Sequence, residues 1–191
     1  GKVDSLVSLR VSEHLDRVRL IAKKTTRAKV AIENNFPVAT GLSASASVFA
    51  SITLAGCKSI GLSLSKKDLS ILARQGSGSA CRSIPDGFVE WLDGNTSQTS
   101  YAISLYPPEY WEIYDVVAIV SKHKKEVGST QGQKIVNTSP FFAPRLLGIN
   151  AKIEECKLAL KNKDFTRLGV LSEAEALEMH AVMLTSHPSL I

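Results

Sequence analysis

Aromatic residues make up only 6% of the 191-residue chain, and cysteine occurs three times, at Cys57, Cys81 and Cys156. The cysteines lack the paired spacing of a zinc site, and His14, His123, His180 and His187 are just as scattered, so no protein-ligated metal is expected. The same scarcity excludes a disulfide-stapled scaffold and points to reduced thiols in a cytoplasmic protein. There is no run of about 18 apolar residues, which excludes a helical membrane span. A formal charge of +5 invites a nucleic-acid reading, with Lys122-His123-Lys124-Lys125 as its best patch. The basic residues are dispersed, however, and no recognised nucleic-acid module is present, so no nucleic acid is expected. Small anionic ligands explain the sign equally well. What remains, 44% hydrophobic and 21% charged residues, suits a globular chain with a core.

Asn34-Asn35-Phe36-Pro37-Val38-Ala39-Thr40-Gly41-Leu42-Ser43-Ala44-Ser45-Ala46-Ser47 is the most informative segment. Upstream, Ala28 to Glu33 alternates short apolar and charged residues as a strand does; downstream, Val48, Phe49, Ile52 and Leu54 keep a helical face through Gly56. The first N–H groups of a helix lack intrahelical partners, and its dipole favours an anion. Gly41 lets the backbone approach a polyphosphate, and the hydroxyls of Ser43, Ser45 and Ser47 supply donors or reach a cation. No Gly-Lys-Ser/Thr ends the loop, so it is not a Walker A motif. The alternative is close packing between helices, which small residues also permit.

A second small-residue cluster, Arg74-Gln75-Gly76-Ser77-Gly78-Ser79-Ala80-Cys81-Arg82-Ser83, follows a short helix capped by Ser65, with Asp68 three residues on and Leu69, Leu72 and Ala73 as its apolar stripe. Successive N–H groups in such a run form an anion-holding nest, and Arg82 brings a planar fork of donors suited to a carboxylate or phosphate. A surface turn is the alternative. Two such clusters favour a phosphorylated substrate beside a nucleotide.

The remaining layout is mixed α/β. A helix is expected from about Ser12 to Lys24, with Leu15, Val18 and Ile21 on one side. Gly87 to Leu92 and Tyr101 to Leu105 read as paired strands, joined near Asp93-Gly94-Asn95. Pro107-Pro108 marks a boundary, and Tyr114 to Val120 reads as a buried strand. A helix then opens at the Gly128 motif. Two long helices follow, one carrying Leu146, Ile149, Ile153, Cys156 and Leu160, the other running from Phe165 towards Leu184, with Pro188 beyond it.

Asn34 to Ser47, Gly76 to Ser83, Gly87-Phe88-Val89-Glu90-Trp91, Val120-Ser121, Lys124-Lys125, Gly128-Ser129-Thr130-Gln131-Gly132, Thr138-Ser139 and His180-Ala181 together resemble the diphosphomevalonate decarboxylase family of the GHMP kinase superfamily. The resemblance implies a two-domain GHMP kinase-like fold: residues 1–108 as part of the N-terminal α/β, ATP-binding domain, and 109–191 as the start of a ferredoxin-like C-terminal domain. It implies ATP and Mg²⁺, a homodimer, and ATP-dependent decarboxylation of mevalonate 5-diphosphate to isopentenyl diphosphate. By the same resemblance Gly41, Leu42, Ser43 and Ser45 belong to the ATP phosphate loop, Ser45 touching the transferred group or Mg²⁺. Ser77, Gly78, Ser79, Ala80, Cys81 and Arg82 hold the mevalonate diphosphate, Arg82 orienting its carboxylate, and Ser129 and Thr130 grip it from across the cleft.

The family's catalytic aspartate lies in a late Asp-x-Gly-x-Asn segment that is not found among these residues. The chain is therefore expected to be an internal fragment, inactive or nearly so alone. Asp86 and Asp93 read as turn residues, and Asp115 and Asp164 have no motif around them. A mevalonate or phosphomevalonate kinase, a phosphomevalonate decarboxylase, and a non-catalytic binding protein on the same fold are the alternative readings.

Overall fold

The computed structural model describes residues 5–36, 43–118 and 129–190. By its contacts the chain divides into two compact units, Gly1–Lys124 and Lys125–Ile191.

The first unit is built on three helices, α1 (Ser5–Ala22), α2 (Ala44–Ser59) and α3 (Lys66–Gly76). On α1 the buried residues Val11, His14 and Val18 recur at the spacing that places them on one face. α2 buries Ala46, Phe49, Ala50, Ile52, Thr53 and Cys57, whereas Leu54, expected on the same face, is 44% exposed. α3 begins as its sequence requires: the Ser65 hydroxyl accepts the Asp68 N–H at 3.1 Å, and the Asp68 carboxylate accepts from that hydroxyl at 2.6 Å. Two apolar clusters result. Val18, Cys57 and Leu72 join the three helices, and Phe49, Ala50, Ala73, Ala80 and Ile84 pack α2 and α3 onto the segment that follows.

That segment is a 3-10 helix, Gly78–Ser83, which leads into an antiparallel pair, β1 (Phe88–Leu92) and β2 (Tyr101–Tyr106). The register sets Trp91 opposite Ala102, and an irregularity between Phe88 and Val89 shifts the pairing at the strand's start. Gly87 enters β1 with φ +78, where a Cβ would lie 2.7 Å from the Pro107 carbonyl carbon, so both conformation and space demand glycine. The buried hydroxyl of Ser70 ties these parts together: it donates to the Cys81 carbonyl at 3.1 Å and accepts the Ala102 N–H at 2.9 Å.

Two expected strands are not formed. Residues 28–33 and the described part of Tyr114 to Val120 have no regular structure, and Val30, Ile32, Tyr114, Val116 and Val117 are exposed. A strand exists through its ladder, and among the described residues β1 and β2 pair only with each other.

The second unit holds α4 (Ser129–Ile135), α5 (Phe142–Asn162) and α6 (Phe165–Thr185). Lys163, in the left-handed conformation, closes α5 by donating its N–H to the Ala159 and Leu160 carbonyls, and Asp164 caps α6 by accepting the Arg167 N–H at 2.9 Å. At the other end the Ser139 and Thr185 hydroxyls meet at 2.7 Å. Between them Glu175 and Glu178 of α6 receive Arg145 and Lys152 of α5.

Candidate functional site

The two small-residue clusters of the first unit stand side by side. Ser43, in the left-handed conformation with φ 54 and ψ 35, precedes α2, and its carbonyl accepts the Ala46 N–H at 2.8 Å. Its hydroxyl caps nothing. One residue into the helix, the exposed Ser45 hydroxyl lies 3.3 Å from that of Ser77, which precedes the 3-10 helix. Ser47 is different: it donates to the Ala44 carbonyl at 3.1 Å and so serves its own helix. Gly41 and Leu42 lie outside the described residues.

Within the second cluster the side chains divide by role. Ala80 and Cys81 are fully buried, so their side chains pack while their backbone carries the turn. The Cys81 thiol donates to the Gly78 carbonyl at 3.1 Å, and burial pushes its pKa up against the opposing influence of Arg82, making it an inert thiol. Ser77 and Ser79 are half-buried; Gly78 and Arg82 are exposed. The two flanking arginines differ most. Arg74 is spent on structure, donating to the Ser100 carbonyl at 3.0 Å and to the carbonyl and hydroxyl of Ser97. Arg82 meets no carboxylate among the described residues; its guanidinium carbon lies 5.5 Å from the centroid of the Trp91 ring.

Beneath the cluster is a tight support that motif reading alone missed. Arg10 donates to the Gly76 carbonyl at 3.0 Å while its guanidinium carbon lies 4.9 Å from the Phe49 ring centroid. The Thr53 hydroxyl spends its proton on the Phe49 carbonyl at 2.6 Å, so at 2.8 Å it accepts from His14 Nε2, which fixes the proton there. His14 Nδ1 is then a bare acceptor with no partner among the described residues, buried at the face of Gly76. Burial, reinforced by the Arg17 charge, lowers the His14 pKa to about 4, so the ring is neutral at pH 7. The one available sequence signal was a histidine on the apolar face of α1.

The remaining candidates sit elsewhere. Ser129 and Thr130 are the first residues of α4 in the second unit. The adjoining Thr138 and Ser139 are structural: the Thr138 hydroxyl donates to the Ile135 carbonyl at 2.6 Å and accepts the His187 N–H at 2.8 Å. His180 is exposed on α6. Val120-Ser121, the basic patch at 122–125 and Gly128 lie outside the described residues. Asp86 pairs with Lys66 at 3.1 Å on the surface, Asp93 accepts the Gly94 N–H at 2.9 Å, and Asp164 is the α6 cap.

Two small-residue turns with facing hydroxyls, and an arginine that meets no carboxylate among the described residues, sit on a mixed α/β chain of the GHMP kinase type. Residues 2–102 match the diphosphomevalonate decarboxylase-like N-terminal domain, and residues 115–191 match the mevalonate 5-diphosphate decarboxylase C-terminal domain. The chain belongs to the diphosphomevalonate decarboxylase family. It is 37% identical to the diphosphomevalonate decarboxylase of Candida albicans over 98% of this chain and 56% of the relative. The human diphosphomevalonate decarboxylase is 31% identical over 98% of this chain and 51% of its own length. The crystal structure of mevalonate diphosphate decarboxylase from Staphylococcus aureus superposes with a TM-score of 0.88 at 37% identity, covering 98% of this chain and 57% of that one. A structure described as MDDEF in complex with MVAPP, AMPPCP and magnesium superposes with a TM-score of 0.83 at 38% identity, covering 94% and 56%. The chain thus spans about half the length of the curated relatives it matches.

Proposed function

We propose that the chain supplies the phosphate-loop helix and the substrate loop of an enzyme that decarboxylates mevalonate 5-diphosphate at the expense of ATP, yielding isopentenyl diphosphate, ADP, phosphate and carbon dioxide. The observation that carries this reading is the meeting of Ser45 and Ser77, with Arg82 unpaired with any described carboxylate in the same loop. In this reaction the 3-hydroxyl oxygen attacks the ATP γ-phosphorus as the bond to the β-phosphate oxygen breaks. The bond formed is O–P; the original C3–O bond then breaks with phosphate as the leaving group, and the electrons of the carbon–carbon bond to the carboxylate become the alkene as carbon dioxide leaves.

The residues' contribution is positioning and charge stabilisation, which is most of what phosphoryl transfer asks of a protein. Gly41, Leu42, Ser43 and Ser45 would cradle the ATP phosphates, and the loop from Ser77 through Gly78, Ser79, Ala80 and Cys81 to Arg82 would present amides and one fork to the second substrate. Ser129 and Thr130 are proposed as further substrate contacts. Mg²⁺ would be carried on the ATP phosphates, and the exposed Ser45 hydroxyl is suited to touch it. It would neutralise phosphate charge. The domain limits 1–108 and 109–191, a cytoplasmic setting and a homodimer complete the proposal; no described helix is long and apolar enough to cross a membrane.

Carbon dioxide release from carboxyl-labelled mevalonate 5-diphosphate with ATP and Mg²⁺ tests it, run on the complete reading frame that contains the chain. Phosphorylated product accumulating without carbon dioxide would replace the decarboxylase with a kinase. Neither product forming would leave a binding protein.

A further inference from the structure

We propose that Trp91 is a positioning residue for the substrate loop, holding the Arg82 guanidinium in place without using its donors; the inference rests on the function proposed above. The indole is fixed at its edge: Nε1–H donates to the Ser100 hydroxyl at 2.9 Å, and the Ser100 carbonyl is itself held by Arg74 at 3.0 Å. Its strand is fixed as well, because Trp91 lies opposite Ala102, whose N–H is bound by the same Ser70 hydroxyl that holds the Cys81 carbonyl. The ring therefore shares an anchor with the loop it supports. The ring meets the loop at both ends. A Cβ on Gly78 would lie 3.5 Å from Trp91 Cη2, and Arg82, four residues on, sits 5.5 Å from the ring centroid.

The chemistry suits an anion site. A carboxylate holding Arg82 would neutralise it and occupy its fork, whereas an aromatic face attracts the cation through the ring quadrupole and leaves the in-plane N–H groups free for the ligand. A long side chain on an exposed turn otherwise loses much rotamer freedom on binding, and restraint in advance lowers that cost.

Two measurements decide the matter. In a background of the complete reading frame in which Trp111 and any tryptophan outside these 191 residues are replaced by phenylalanine, so that Trp91 is the sole indole, Arg82→Ala should shift the ligand-free emission; an unchanged spectrum overturns the contact. Affinity for mevalonate 5-diphosphate is then compared across wild type, Trp91→Leu, Arg82→Ala and the double variant in the complete reading frame. Trp91→Leu should weaken binding about 2- to 5-fold, the range of a partly exposed cation–aromatic contact. Trp91→Phe should restore part of it. With Arg82 already alanine, Trp91→Leu should add nothing. An equal loss in both backgrounds would show that the ring acts on packing alone and overturn the inference. A folded wild type that fails to bind the diphosphate would instead refute the proposed function, a result the emission experiment distinguishes.

Discussion

The hydroxyl oxygens of Ser45 and Ser77 lie 3.3 Å apart although 32 residues separate them in the chain. The pair joins the first turn of α2 to the residue before the 3-10 helix, so each small-residue cluster borders the other. Ser45→Ala should lower the rate of phosphoryl transfer and weaken ATP-analogue binding. The fold should hardly notice, since exposed substitutions usually stay within about 0.5 kcal/mol. Turnover and nucleotide affinity measured beside thermal melts separate the two effects, and unchanged turnover would remove Ser45 from the phosphate site.

Arg82→Ala should follow the same division more strongly. Its guanidinium is exposed and meets no described carboxylate, so its loss should cost catalysis far more than melting temperature. Parallel loss of stability and activity would count against the role.

Gly76→Ala tests the support under the loop. Alanine favours a helix by about 0.8–1 kcal/mol over glycine. Here, however, the new Cβ would overlap the Phe49 ring and fall 2.8 Å from His14 Nδ1. Overpacking of this kind costs about 1–3 kcal/mol, so a net loss is predicted by chemical denaturation. A more stable variant would show that the helices yield.

His14 gives stability a pH dependence of known sign. Above its ordinary pKa of 6.5 both folded and unfolded states carry the neutral ring; as pH falls towards about 4 only the unfolded chain gains the proton, and folding weakens. The full loss is about 3 kcal/mol, complete once pH passes below the folded value. His14→Gln should lack this increment. Denaturant unfolding of both chains at pH 7 and 4.5 measures it, and identical pH dependence would contradict the buried neutral ring.

On α6 the contributions to Glu175 compete. Burial acts to raise its pKa, but hydrogen bonds and charge from Lys152 and Arg145 outweigh it and hold the carboxyl below its usual 4.5. The stability it brings is therefore present above that value and lost as pH falls through the folded one. Glu175→Gln should loosen the α5–α6 pair by no more than about 1 kcal/mol, and by less in 1 M salt. A larger, salt-independent loss would mean that packing, not charge, was removed.

Local signals carried far in this chain, and partnerships did not. Ser65 and Asp68 announced the start of α3, and Asp164 caps α6 where the second long helix was expected to begin, because capping is written within a few residues. The alternation from Ala28 to Glu33 was equally clear, yet those residues are not a strand, since periodicity selects a face and cannot supply a ladder partner. The site shows the same limit. Composition marked the two clusters and Arg82, but nothing in the sequence set Ser45 beside Ser77, Arg82 over Trp91 or His14 against Gly76, which are contacts between distant segments.

Carbon dioxide release is the most direct measurement of the central claim. With ATP, Mg²⁺ and carboxyl-labelled mevalonate 5-diphosphate, the account predicts labelled carbon dioxide from the complete reading frame and its sharp reduction by Arg82→Ala. Release that is indifferent to Arg82, or no release from a folded protein that binds both substrates, would contradict it.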